Sequence, residues 1–321
     1  MKTVSLVLGS GGARGYTHVG VIDELVSRGY RINAIAGCSM GALVGGIYAA
    51  GKLELFRDWL HSLGYLDVLR LADISFSSQG ALRGERVFAV LGEMIGDLHI
   101  EELELPYTAV ATDLVAQQEL WFQRGSLRNA IRASVAIPTL LTPVIDRNRV
   151  LVDGGLLNPL PIAPVVSAHS DLIVAVNLAG EAGGYSLPKV ERGNREARRL
   201  QLFSRWLERI SRNRSMAAMS VGAPAITNGG SVGQGKPPSG MMDIINQSFE
   251  TMQGSLTQFK MAGYPPDLLI SIPKDICRFY EFHLGPELIE MGRIIASDAL
   301  DRYETAGNTL PTHEQDDGSA G

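Results

Sequence analysis

Two cysteines in 321 residues, Cys38 and Cys277, are too few for a disulfide framework, and neither belongs to a Cys-x-x-Cys pair. That usage suits a reducing cytosol. Long apolar runs are missing too: nothing approaches ~18 uninterrupted apolar residues, so no spanning helix is expected. After Met1-Lys2-Thr3 the apolar stretch is too short for the core of a secretory signal. Positive charge is in the minority, with 29 Lys and Arg against 34 Asp and Glu, which argues against a nucleic-acid binder driven by overall charge. There is no internal repeat. These absences predict a soluble, cytoplasmic protein with no nucleic-acid partner. Whether the chain forms a homo-oligomer is left open.

What is present is a 45% apolar fraction, enough for a sizeable core, and 36 glycines. The length prior is about two domains, although one α/β domain of this size is common. The most informative stretch is Gly37-Cys38-Ser39-Met40-Gly41. The apolar run 32–36 leads into it and the small-residue run 42–50 leads out, which reads as strand, tight turn and helix with a serine at the apex. Glycines two positions either side of a serine suit a nucleophile elbow. The five-residue pattern alone is weak, so Ser39 needs a base and an oxyanion hole from elsewhere.

Upstream, the buried strand 4–8 runs into Gly9-Ser10-Gly11-Gly12-Ala13-Arg14-Gly15, and Val19, Ile22, Leu25 and Val26 follow at helical spacing. A glycine loop between strand and helix presents N–H groups to an anion. It reads as a close-packed turn, a dinucleotide pyrophosphate site or an oxyanion hole. The dinucleotide reading lacks an acidic residue at the end of the next strand, which ends in Gly37-Cys38-Ser39. The oxyanion reading explains why that strand ends in a serine.

Farther on, helices are expected around 53–63, 86–95 and 128–136, strands over 107–112 and 119–122 in a hairpin, and a loop over 77–84. The strand 150–152 runs straight into Asp153-Gly154-Gly155, and a carboxylate at a strand end lies where α/β sheets bind ligands. A turn aspartate capping its own loop is the blander alternative. Residues 172–178 form a buried strand. Residues 189–214 then carry nine Lys and Arg against three Glu, with Leu200, Phe203, Leu207 and Ile210 on one helical face. This reads as a contact with an anionic membrane through 191–213, as a partner-binding helix, or as a solvated helix packed on the core. Residues 222–240 hold six glycines and three prolines and are expected to be flexible. A helix over 241–261, a strand over 268–272 and a helix over 286–303 follow. The division expected is a catalytic core over 1–178, a basic and flexible insertion over 179–240, the rest of the same domain over 241–305, and a disordered tail over 306–321.

A base for Ser39 is not obvious among the six histidines; His283 comes nearest to the position a triad would use. An ordinary α/β-hydrolase also builds several strands before its elbow, whereas here the elbow follows the second. The early Gly-Gly-Ala-Arg-Gly loop, Gly-Cys-Ser-Met-Gly on the next strand and a distant Asp-Gly-Gly together resemble the patatin-like phospholipase family, in particular its small bacterial RssA-type members. The resemblance covers roughly residues 4–178. It implies a three-layer α/β sandwich with a central, mostly parallel sheet, and a lipid acyl hydrolase or esterase that needs no cofactor and no metal. It implies Ser39 as nucleophile and Asp153 as proton acceptor in a dyad without histidine. Backbone N–H groups at Gly11, Gly12, Ala13 and Arg14 would form the oxyanion hole, with Gly15, Gly37, Gly41, Gly154 and Gly155 supporting the motifs. Ser10 departs from the glycine common there in the family. Arg14 either holds its loop or touches a phosphate headgroup. The same dyad would also serve a thioesterase or acyltransferase, and a weakly active regulatory protein could keep the fold.

Overall fold

The two apolar runs that open the chain become neighbouring parallel strands in a computed structural model, which describes residues 1–63, 84–138, 140–190 and 241–308. The strands β1 (Thr3–Leu8) and β2 (Arg31–Cys38) are joined through helix α1 (Thr17–Ser27), and Leu8 lies opposite Gly37 at their ends. Strand β3 (Tyr107–Asp113) pairs parallel with β2 and carries the antiparallel hairpin partner β4 (Gln118–Phe122). The ribbon β5 (Val144–Asp146) and β6 (Arg149–Asp153) follows, then β7 (Leu172–Gly180) and β8 (Leu268–Pro273), both parallel to β1. The sheet is therefore mixed and centrally parallel, in the order β3-β2-β1-β7-β8, with its antiparallel strands gathered around β3.

Its two faces are unequal. On one, Leu6, Leu8, Ile35, Val174 and Val176 meet α1 and four more helices: α2 (Met40–Ala49), α3 (Leu53–Ser62), α4 (Glu85–Ile95) and α5 (Leu127–Ser134). This forms the large core. Beyond the undescribed residues 191–240 come α6 (Met241–Gly263) and α7 (Gly285–Asn308), and α7 packs on α1 in that same core. On the other face the sheet presents small residues, Ala34, Ala36 and Ala175. These are covered by a short 3-10 turn, Ala163–Ala168, and by Met261 of α6. Helices flank the sheet on both sides, as the sandwich expectation required.

Three differences from the sequence reading matter. The strand β5 was not expected, and β6, for which the sequence implies no direction, runs antiparallel to β3. Helix α7 continues to Asn308, so the tail expected from 306 begins inside a helix, whose hydrogen bonds propagate past the polar residues. The loop expected over 77–84 (apart from Gly84), the basic stretch 191–213 and the glycine- and proline-rich 222–240 lie outside the described residues.

The antiparallel strand has a consequence for the site. A strand has two edges, and β4 occupies one edge of β3 from Ala109 to Asp113. Strands β2 and β6 must then share the other edge: β2 pairs with residues up to Val110, and β6 pairs from Ala111 onwards. They run toward each other. Strand β2 ends at Cys38 opposite Val110 and β6 ends at Asp153 opposite Ala111, so two residues 115 apart in sequence meet end to end.

Candidate active site

Ser39 sits between β2 and α2 with φ 54° and ψ −122°. Such a conformation is strained for a residue with a Cβ, by about 1–3 kcal/mol, and persists only where the surroundings enforce it. Here they do. A side chain on Gly37 would strike the backbone of Gly41, and one on Gly41 would strike the Leu8 carbonyl of β1, so the turn is packed to backbone contact on both sides. The Ser39 N–H donates to Ser134 Oγ at 2.9 Å, and that hydroxyl donates to the Val110 carbonyl at 2.6 Å. Ser134, fully buried on α5, thus ties the elbow to β3. No sequence motif marked it.

Asp153 is equally buried. Its Oδ1 accepts from the Gly155 N–H at 2.7 Å and lies 3.9 Å from Cys38 Sγ. Burial pushes the carboxyl up to about 6, against the Ser39 hydroxyl, the Gly155 N–H and the Cys38 thiol, which favour its charged form. Ser39 Oγ and Asp153 Oδ2 are buried atoms without a hydrogen bond of regular geometry among the described residues. The hydroxyl is therefore close enough to act on the carboxylate's charge while remaining uncommitted. A side chain on Gly154 would run into the Val110 carbonyl, so the chain after Asp153 is packed to backbone contact against β3.

The glycine loop brackets this pair. At one end Gly15 lies against Met40, the residue after Ser39; at the other Ser10 lies against Gly155, two residues after Asp153. Among the described residues no backbone acceptor takes the N–H of Gly11 or Gly12. The Ala13 N–H, by contrast, donates to the Phe279 carbonyl at 2.9 Å, which withdraws it from the set of donors named from the sequence. Arg14 is buried, and its guanidinium reaches Gly11 O at 3.2 Å, Lys274 O at 3.3 Å and Glu250 Oε1 at 2.6 Å. It holds the loop.

Ser10 also finds a partner: Gln253 Nε2 on α6 donates to its hydroxyl at 3.3 Å. His18 beneath the loop contacts the Gly9 carbonyl through Nε2 at 2.9 Å, and burial lowers its ring to about 4, so it is neutral and structural. No histidine hydrogen-bonds Ser39 or Asp153 among the described residues.

A cavity of about 170 Å³ opens beside Ser39, walled by side chains such as Met40, Leu43, Phe56, Trp59, Phe88 and Phe282. Its walls are apolar. It can hold hydrocarbon with the reacting hydroxyl at its edge.

Residues 6–166, half of the chain, match the patatin-like phospholipase family. The chain belongs to that family. An uncharacterized NTE family protein of Mycobacterium tuberculosis is 42% identical over 94% of this chain and 92% of its own length. Lysophospholipase NTE1 of Cryptococcus neoformans is 32% identical over 51% of this chain, a stretch that spans 10% of that longer protein. VipD from Legionella pneumophila overlaps at a TM-score of 0.43 and 15% identity, covering 94% of this chain and 67% of that one. Membership makes the chain a lipid ester hydrolase. These relatives carry NTE names, and the RssA-type subdivision is not confirmed by them. Among the described residues no helix is long and apolar enough to cross a membrane.

Proposed function

We propose that the chain hydrolyses fatty acyl esters of phospholipids or lysophospholipids through a Ser39–Asp153 dyad. The observation that carries this reading is the end-to-end meeting of β2 and β6. It brings together two strand ends that carry buried oxygens without a regular hydrogen bond, Ser39 Oγ and Asp153 Oδ2, and Ser39 lines an apolar cavity.

The acyl chain occupies the cavity and brings its ester carbonyl to Ser39. As Ser39 Oγ bonds to the carbonyl carbon, its proton passes to Asp153, and the carbonyl oxygen takes up the negative charge against the N–H groups of Gly11 and Gly12. Collapse of that intermediate breaks the bond to the alcohol, which leaves with the proton held by Asp153. Water then attacks the acyl-enzyme, giving a proton to Asp153; as the bond from Ser39 Oγ to the acyl carbon breaks, Asp153 returns that proton to Ser39 Oγ and the fatty acid is released. A carboxylate at its ordinary value of 3.8 would be a feeble base for a serine; one raised to about 6 by burial is ionised at neutral pH and a better acceptor.

The test is hydrolysis of p-nitrophenyl butyrate and of lysophosphatidylcholine by the wild type, Ser39→Ala and Asp153→Asn. Ser39→Ala is expected to lose roughly 10⁴-fold or more in kcat, and Asp153→Asn about 10²–10⁴-fold, with both folded. Activity that survives both substitutions would remove the dyad; activity lost only on replacing His283 would restore a triad.

A further inference from the structure

One side chain of α6 touches both halves of the site. Gln253 is 7% exposed, and its Nε2 donates to Ser10 Oγ at 3.3 Å. It also fills the space beside Gly155. A Cβ at Gly155 would strike Gln253 Nε2, and the same position lies 2.9 Å from Ser10 Oγ and 3.0 Å from Asp153 Oδ1. Gly155 has no positive φ, so what requires a glycine there is the Gln253 amide, which occupies the room of a side chain. Burying a glutamine costs rotamer freedom and desolvation, and an apolar side chain would bury at lower cost. Nor is Gln253 needed to seat the helix. Glu250, about one turn before it, pairs with Arg14 at 2.6 Å, and Lys260, about two turns after it, pairs with Glu119 at 3.3 Å.

From this placement we infer that Gln253 is a positioning residue for ester hydrolysis, fixing the oxyanion donors relative to Asp153. The glycine loop and the Asp153 turn lie at opposite ends of the stretch that matches the family, and Gln253 lies outside it. The Gly11 N–H belongs to the planar peptide group that begins at Ser10, so holding Ser10 holds the direction of that donor. Ser10 is held twice: its N–H donates to the Pro159 carbonyl at 2.9 Å, and its hydroxyl accepts from Gln253. On the other side, the Gly155 N–H donates to Asp153 Oδ1 at 2.7 Å, so the amide packed against Gly155 steadies the carboxylate as well. One side chain therefore bears on both the donors and the base, whose relative placement sets the rate of the chemical step. The inference rests on the Ser39–Asp153 reading and adds a residue to it.

The test uses the full chain and p-nitrophenyl butyrate. It reads kcat, KM and the pH dependence of kcat/KM for Gln253→Met, Gln253→Glu and Lys260→Met. Methionine keeps the length and loses the hydrogen bond, so kcat is expected to fall about tenfold with KM within about twofold. Glutamate keeps a partner for Ser10, whose hydroxyl then donates, but sets a negative charge beside Asp153. Its plateau kcat is expected to return to within about threefold of wild type. Its acid limb, near 6 in the wild type, is expected to move up by about one pH unit. Lys260→Met removes a tie of α6 to Glu119 and is expected to stay within about twofold of wild type. An unchanged kcat in Gln253→Met would overturn the inference. So would an acid limb that Gln253→Glu leaves in place, or a plateau there no better than in Gln253→Met. Lys260→Met matching the loss in Gln253→Met would overturn it too, by assigning the effect to the seating of the helix. If Gln253→Met does not fold, the limb of Gln253→Glu decides, and unfolding of both would assign the residue to the fold alone and end the inference. Failure of the dyad reading shows separately, as wild-type turnover that is absent or that survives Ser39→Ala.

Discussion

Ser39 and Asp153 arrive at the same place under opposite constraints. The serine is delivered by a parallel strand at the centre of the sheet, and its backbone is fixed by contact: glycine against glycine, the Leu8 carbonyl below, Ser134 on its N–H. The aspartate is delivered by a short antiparallel strand whose start is exposed and whose last three residues are buried. What is particular about it is not its backbone but its environment, which raises its carboxyl to about 6. One half of the site is therefore made by geometry and the other by burial. The two halves should fail differently.

The largest separable effect is the pH dependence of the aspartate half. With Asp153 as base, kcat/KM on a neutral ester is expected to fall about tenfold per pH unit below about 6 and to be flat above it. Stability should run the other way. Because the folded carboxyl is raised above its ordinary value of 3.8, the folded state binds the extra proton between 3.8 and about 6. Burial of the charge thus weakens the fold progressively over that window, by about 3 kcal/mol at most once fully ionised. Denaturation of Asp153→Asn across pH 3.5–7 is expected to lack this slope and to show a more stable protein at pH 7. A slope that persists in Asp153→Asn would move the burial effect to another group.

The serine half should respond to a residue that takes no part in chemistry. Ser134→Ala strands the Ser39 N–H and the Val110 carbonyl, two buried groups joined through one hydroxyl, at about 2–4 kcal/mol in denaturant titration. It should lower kcat with little change in KM and leave the pH profile in place, since the carboxylate is untouched. Ser134→Thr, which keeps the hydroxyl, should recover part of both losses. A shifted pH profile in Ser134→Ala would show that the halves are not independent.

Much of this was legible in the chain because it is local. The runs 4–8, 32–36 and 172–178 are apolar but for one residue each (Ser5, Asn33 and Asn177), and in a sheet covered on both faces that pattern means buried parallel strand. Ser39 and Asp153 sit at the ends of such runs beside glycines, so their positions followed from turn chemistry. What stayed hidden depends on distant partners. Nothing in Arg149-Val150-Leu151-Val152 encodes the direction in which the strand runs, and β5 is only three residues long. The Ala13 amide is taken by Phe279, 266 positions away, and Arg14 is claimed by Glu250 from a helix beyond the undescribed segment. The choice between loop support and headgroup contact for Arg14 could not be made from its neighbours. Ser134 resembles any helix-terminal serine until its acceptor, the Val110 carbonyl, is known.

The smallest expected effect isolates the strain itself. Ser39→Ala and Ser39→Gly both remove the hydroxyl, and both should abolish turnover. They differ in backbone freedom: alanine keeps a Cβ at φ 54°, whereas glycine adopts that region at no steric penalty. Glycine also gains entropy in the unfolded chain, by roughly 0.5–1 kcal/mol, which opposes the relief. With about 1–3 kcal/mol of strain removed, Ser39→Gly should remain more stable than Ser39→Ala by about 1 kcal/mol, readable as a shift in denaturation midpoint at constant m-value. Equal midpoints would mean that the contacts around Gly37, Gly41 and Ser134 do not hold the serine against its backbone preference. The division of the site into a geometric half and a buried half would then have to be given up.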